Sequence, residues 1–264
     1  MMQLEPTGER MVEEHYTGSL ADHVIHLMHI ATYDFAEEFC AGRRVLDYGC
    51  GSGYGSARIA RIAQQVQAVD VAEDAVAYAR EKYPADNLQF SAIDPGKPLP
   101  FGDDSFDTVL SFQVFEHVAE TDLYLREVRR VLRPGGTFVL VTPDRTHRLL
   151  PLQKPWNRWH LHEYSPAGLA RMVRRHFDEV EMLGMGGKRE MLDVELQRYR
   201  TVRLAALPVT LPIWPDRVRV AGLNAIHRLR GNRTGAPVEC PYTVDDVEIS
   251  ETASPSVNIV AVLR

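Results

Sequence analysis

Short apolar runs alternate along the chain with stretches in which apolar residues recur every three or four positions, the pattern of strands alternating with amphipathic helices. Residues 20–40 read as a long helix, and 44–47 as a strand feeding a helix over 56–64. A second strand ends at Asp70, a helix covers 73–82, and strands follow at 88–93 and 106–111. Between 122 and 132, Leu125, Val128 and Leu132 share one helical face, and Arg133-Pro134-Gly135-Gly136 stops that helix before an apolar strand at 137–141. Ser165-Pro166 opens a helix whose inner side is Leu169, Met172 and Val173; a sixth strand is expected at 179–183 and a last one at 257–263. Such alternation predicts a parallel sheet with helices on both sides.

About seventy residues separate the sixth strand from the last, far more than a hairpin needs, so this region reads as an insertion with its own helices. The helices should break near Leu207-Pro208 and Leu211-Pro212-Ile213-Trp214-Pro215. The chain therefore divides into an N-terminal segment (1–42), one domain (43–187 with 251–264), and a helical insertion (188–250) serving as a lid, an oligomer contact or a docking surface.

Charge sharpens the picture of the insertion. The chain carries a formal net charge of −6, which argues against a nucleic-acid partner bound through its phosphates. Yet the stretch 198–233 holds arginines at 198, 200, 203, 217, 219, 228, 230 and 233 against the single acid Asp216. This asymmetry suggests an anionic partner, a membrane surface or a glycosyltransferase; a solvated helix face is the competing explanation. The opening residues lack the basic and apolar regions of a signal peptide, and no apolar run approaches membrane-spanning length, so a cytoplasmic location, at most peripheral to a membrane, is expected. Cys40, Cys50 and Cys240 are odd in number and not at metal-ligand spacing, and read as reduced thiols.

The chemistry begins at Val45-Leu46-Asp47-Tyr48-Gly49-Cys50-Gly51-Ser52-Gly53-Tyr54-Gly55, followed one helix later by Val66-Gln67-Ala68-Val69-Asp70. An apolar strand entering a glycine loop, with an acid closing the next strand, is the layout of an adenosine-cofactor site: glycines let backbone approach the ligand, and the acid can accept from both ribose hydroxyls. Asp47, just before the loop, would repel a diphosphate but suits a ligand carrying an ammonium and a sulfonium. That charge preference points to S-adenosylmethionine.

These residues resemble the class I S-adenosylmethionine-dependent methyltransferases. Asp70 matches the family's ribose-binding acid and Ala92-Ile93-Asp94 its adenine-side acid; Leu99-Pro100-Phe101-Gly102-Asp103-Asp104-Ser105-Phe106-Asp107, Phe115-Glu116-His117-Val118 and Leu132-Arg133-Pro134-Gly135-Gly136 follow in the family's order. The resemblance spans residues 43–145. It implies a Rossmann-like fold, a mostly parallel seven-stranded sheet with an antiparallel C-terminal edge strand. It also implies a cofactor site built from Asp47, Tyr48, Gly49, Gly51, Gly53, Asp70, Val71, Ile93, Asp94, Phe112 and Gln113, with Arg10 from the N-terminal segment.

A hydroxyl acceptor must lose its proton before or during methylation, and histidine is the natural base near neutral pH. His117 follows the fourth strand, where open parallel sheets place their ligands. In Trp159-His160-Leu161-His162-Glu163-Tyr164, an extended chain would turn His160 and His162 the same way, towards the acceptor; His176 is a further candidate. Glu116-His117 also resembles part of the metal-binding motif of ubiquinone-pathway O-methyltransferases, which has another glutamate three residues earlier. Here that position is Gln113, and losing a carboxylate weakens a site for a hard cation, so no required metal is expected.

Thr7-Gly8-Glu9-Arg10-Met11-Val12, the loop Cys50 to Ser56 and His162-Glu163-Tyr164-Ser165 are similar to bacterial methyltransferases that modify sugars of surface polysaccharides. In that group the opening segment precedes a helix capping the cofactor; Arg10 and Tyr16 would reach the methionine carboxylate or the acceptor, or only tie the segment down. The reading that follows is methylation of a sugar hydroxyl on a bacterial glycan such as an O-antigen, carried on a phosphate-linked lipid or nucleotide. Phe112, Phe115, Trp156 and Trp159 keep open a quinone, phenol or natural-product acceptor. A cofactor-binding docking module without catalysis is the non-enzymatic alternative.

Overall fold

The computed structural model describes residues 18–230 and 238–264. Helix α1 (Leu20–Cys40) is opened by Ser19, whose hydroxyl accepts from the Asp22 amide at 3.1 Å, and it buries Val24, Met28, Tyr33 and Ala36. β1 (Arg44–Tyr48), α2 (Tyr54–Ile59), β2 (Gln65–Asp70), α3 (Glu73–Lys82) and β3 (Leu88–Ala92) follow as successive steps towards one edge of the sheet. The chain then crosses back to β4 (Phe106–Phe112), α4 (Thr121–Val131) and β5 (Leu132–Pro143).

After a short turn of helix, α5 (Arg145–Arg148), come α6 (Pro166–Val173), β6 (Val180–Gly187), α7 (Arg189–Ala206), α8 (Asp216–Arg230), β7 (Val247–Ser250) and β8 (Asn258–Leu263). The strand order is β3-β2-β1-β4-β5-β8-β6-β7. β1 to β5 run parallel; β8 is antiparallel to both β5 and β6, and β7 is antiparallel to β6. Apolar clusters fill both faces, one under α1 and α7 and the other under α4 and α6.

Three expectations change. The sheet has eight strands, because β7 emerges from residues read as insertion and pairs Gly184–Gly187 of a β6 that runs four residues beyond the expected 183. The C-terminal strand consequently lies inside the sheet, and β7 forms its antiparallel edge. Helix α2 stops at Ile59 instead of 64: the Asn87 side-chain amide donates to the carbonyls of Ala60 and Ala63, at 2.7 and 3.1 Å, and turns the chain into β2. Among the described residues no helix is long and apolar enough to cross a membrane.

Candidate active site

The order β2-β1-β4 reverses the chain's direction of travel across the sheet, and the carboxyl ends of these strands open a crevice at that point. A cavity of about 400 Å³ fills it, lined by Tyr48, Gly49 and Gly51 after β1, Asp70 and Val71 after β2, Ile93 after β3, and Phe112, Gln113 and His117 after β4. Asp70 is the pivot of the loop. One carboxylate oxygen accepts from the Gly51 amide at 2.8 Å and the other from the Ala72 amide at 2.9 Å, which fixes the acid at the cavity wall with lone pairs remaining for ligand hydroxyls. Gly51, at φ +53°, has nothing within 4 Å of where a Cβ would stand, so bare backbone faces the cavity.

A second cavity of about 380 Å³ adjoins the first and shares His29, Gln113 and Trp159 with it. Its floor is Glu116, Arg148, His160 and Asn258, its side is Trp156, Asn157 and Arg158, and its roof is α7 and α8, which contribute Glu195, Arg198, Tyr199, Leu223 and His227. Gln113, between the two cavities, holds φ +56°, a left-handed conformation that costs free energy in a non-glycine residue. Its side-chain amide donates to Asn258 Oδ1 at 3.2 Å.

The floor is an ion-pair relay. Arg148, 5% exposed, donates to both carboxylate oxygens of Glu163, at 3.0 and 3.2 Å, and its guanidinium lies 4.4 Å from the Trp156 ring and 4.8 Å from Tyr199. Glu163 also accepts from His160 Nδ1 at 2.8 Å. Burial alone would raise the Glu163 carboxyl, but the guanidinium and the imidazole outweigh it and hold the group at about 2. His117 sends its Nδ1 to the Trp159 carbonyl at 3.1 Å, and its ring meets that of His160 edge-on with centroids 4.9 Å apart. Glu116, 1% exposed, accepts from the Thr142 hydroxyl at 2.9 Å.

Residues 46–140 match the family described as a methyltransferase domain. A probable S-adenosylmethionine-dependent methyltransferase of Mycolicibacterium smegmatis is 35% identical over 66% of this chain and 65% of its own length. A fatty-acid O-methyltransferase of the same species is 30% identical over 75% of this chain and 67% of its own. Among solved structures, the YcgJ protein of Bacillus subtilis superposes with a TM-score of 0.56 at 21% identity, covering 91% of this chain and 99% of that one.

The chain belongs to the class I S-adenosylmethionine-dependent methyltransferases. For the first of these relatives the match spans just under two thirds of the relative's length. S-adenosylmethionine fits the cavity described: bare backbone at Gly51, the anchored Asp70 carboxylate and the apolar Ile93 and Phe112 suit ribose hydroxyls and an adenine ring.

Several of the expected cofactor ligands lie elsewhere. Asp47 is buried beneath the loop, where it accepts from the Ser56 hydroxyl at 2.6 Å and from Tyr33, instead of lining the cavity. Burial pushes its carboxyl up to about 6, with the neighbouring Asp70 charge adding to the effect and the Ser56 and Tyr33 hydrogen bonds opposing it. Gly53, at φ +83°, packs where a Cβ would come 2.6 Å from Ala79 and 2.7 Å from the Phe90 ring, so it serves the packing of the loop on α3 and β3. Asp94 is exposed and pairs with Lys97 at 2.8 Å. Arg10 and Tyr16 fall outside the described residues.

The extended reading of 159–164 fails at His162. The amides of Leu161 and His162 both donate to the Glu116 carbonyl, at 2.8 and 3.2 Å, which bends the chain so that His160 enters the second cavity while His162 stays exposed near Tyr164. His176 pairs with Asp122 at 3.0 Å, away from both cavities. Two site features escaped the sequence reading. His29, from the middle of α1, lines both cavities with its imidazole lowered to about 4 by burial and by His26, so it brings no positive charge to the junction. The buried Arg148–Glu163 pair carried no signal in spacing or periodicity.

Proposed function

We propose that this protein transfers the methyl group of S-adenosylmethionine to a hydroxyl of a polar acceptor, a sugar of a bacterial surface glycan. The observation that carries the reading is the second cavity, which meets the cofactor cavity at Gln113 and ends on Glu116 and His160, with His117 on the cofactor side of the junction. When bound, S-adenosylmethionine supplies an electrophilic methyl on a good leaving group. A carboxylic acid is already ionised near neutral pH and needs no help, whereas a sugar hydroxyl does. Two chemistries are open to such a cluster: direct proton acceptance by an imidazole, and acidification of the hydroxyl by a bound cation.

The lining supports a sugar over a phenol or quinone. Asn157, Asn258, Arg158 and His227 offer hydrogen bonds around the cavity, and Trp156 and Trp159 offer flat apolar faces. Around it Arg200, Arg217 and Arg228 are exposed on α7 and α8 and would meet the phosphates of a lipid-linked or nucleotide-linked carrier, at the membrane surface or beside a glycosyltransferase.

Mass spectrometry tests the proposal: the protein is incubated with S-adenosylmethionine and nucleotide sugars, deoxyhexose oligosaccharides, phenols, quinone precursors and fatty acids. A gain of one methyl on the sugars alone is expected. A gain confined to phenols or fatty acids refutes the acceptor class. Cofactor binding with no transfer to any of them favours a docking module.

A further inference from the structure

We infer that Glu116, His117 and His160 form a binding site for a divalent transition-metal cation at the junction of the two cavities. One potential ligand atom from each residue lies within 4.8 Å of those of the other two, and the residues come from two separate segments that the fold brings together. The Gln113 position argued against a metal in the sequence because only Glu116-His117 was visible there. The third donor, His160, joins them through the bend that the Glu116 carbonyl imposes on Leu161 and His162.

The outer shell favours this over a chance cluster. Trp159 O accepts from His117 Nδ1, and the Glu163 carboxylate, paired through both oxygens with the Arg148 guanidinium, accepts from His160 Nδ1. With Nδ1 so engaged, Nε2 is the nitrogen that would ligate a cation, and a carboxylate behind a ligating imidazole, as Glu163 is behind His160, raises its basicity. Arg148 in turn fixes Glu163 by two hydrogen bonds, so the orientation of His160 is set three residues deep. Glu116 supplies a buried carboxylate that accepts from the Thr142 hydroxyl, and a cation would offset the cost of burying its charge. Two imidazoles and one carboxylate suit manganese, iron, cobalt, nickel or zinc better than magnesium or calcium, which prefer an all-oxygen set.

Three protein ligands leave coordination positions for the acceptor. A hydroxyl bound there is acidified; its O–H bond breaks, the proton leaves to water, the oxygen forms a bond to the methyl carbon, and the carbon–sulfur bond breaks with its electron pair remaining on sulfur. No oxidant or reductant is involved. The cation's part in turnover rests on the proposed transfer to a hydroxyl; its binding does not.

The test starts with binding alone. Chelator-stripped full-length protein is titrated with manganese, zinc, cobalt and magnesium by calorimetry, and cobalt uptake is followed by its visible absorption. One equivalent of a transition-metal ion should bind, with magnesium weaker by at least about tenfold. Glu116→Gln and His160→Gln should each weaken binding by at least about tenfold, with S-adenosylmethionine affinity unchanged as the control for folding, since neither residue lines the cofactor cavity. Wild-type protein that takes up no cation, or uptake that survives both substitutions, overturns the site. If an acceptor has been found, chelation should abolish its methylation and the cation restore it; full turnover in chelator overturns the catalytic role. Cation binding with no methylated acceptor leaves the site standing and removes the hydroxyl-transfer reading instead.

Discussion

Glu163→Gln separates the charge that organises the floor from the shape of the side chain. Glu163 has a fully buried side chain, between Arg148 and His160. Lowering its carboxyl from the ordinary 4.5 to about 2 corresponds to about 3 kcal/mol of preferential stabilisation of the ionised form, undiminished by solvent screening because the pair is buried. Glutamine keeps the volume and one oxygen but leaves the Arg148 charge uncompensated, a loss that elsewhere costs about 3 to 5 kcal/mol. The two figures agree, and about 3 kcal/mol should lower the Tm by roughly 6 to 12 °C.

The folded-state pKa of Glu163 lies below its unfolded value, so the stabilisation is fully present above about 4.5 and is lost as pH falls towards 2. The deficit of the variant should therefore be complete at pH 7 and shrink steadily below pH 4.5. Urea denaturation followed by tryptophan fluorescence, across pH 3 to 8, measures it. Replacing both partners, Arg148→Met with Glu163→Leu, should recover much of the loss, because no charge remains buried without its counterion. A single variant that loses less than about 1 kcal/mol at pH 7, or the same amount at pH 3, would refute the ion-pair account.

Asp70→Ala should weaken S-adenosylmethionine by at least about a hundredfold in calorimetry, since the ribose acceptor and the anchor of Gly51 and Ala72 are lost together, each charge-assisted bond being worth about 1.5 to 3 kcal/mol. Asp47, near 6, should make cofactor binding pH-dependent: the cationic ligand favours the ionised carboxylate, so binding expels a proton below pH 6 and affinity falls as pH drops. Asp47→Asn should flatten that profile, and a wild-type affinity constant between pH 5 and 7.5 would contradict the coupling. Arg219→Gln should raise the acceptor KM at least about tenfold while cofactor affinity holds, because the guanidinium donates to the carbonyls of Pro155, Asn157 and His160.

The sequence exposed the cofactor half of this molecule because its signals are local. A glycine loop after β1 and an acid at the end of β2 lie within one strand-helix-strand unit, and their pairing in space follows from the parallel register of Val45 to Tyr48 on Val66 to Val69. The half around the second cavity is built from contacts that no period records. His117 and His160 meet because a main-chain carbonyl bends a loop, Arg148 finds Glu163 across 15 residues, and β7 is four residues of mixed exposure whose strand character comes from pairing with β6. Asp47 shows the opposite error, where correct charge reasoning placed a side chain in the cavity although its pleat turns it under the loop.

The basic insertion also changes meaning once its side chains are placed. Arg198 pairs with buried Glu195 and faces the Trp156 and Tyr199 rings, Arg203 donates to the His147 carbonyl, and Arg219, 1% exposed, holds the loop 155–160 against α8. Of the six arginines whose side chains are described there, these three are thus structural members of the second cavity or its roof, while Arg200, Arg217 and Arg228 are exposed. A guanidinium can satisfy several carbonyls at once from a rigid fork, which makes arginine suited to joining a helical roof to an irregular loop. The roof and the loop bearing Trp159 and His160 are consequently one unit. A displacement of α8 against this loop would either carry His160 with it or break the Arg219 contacts, so the geometry of the Glu116–His117–His160 cluster is tied to the position of the roof.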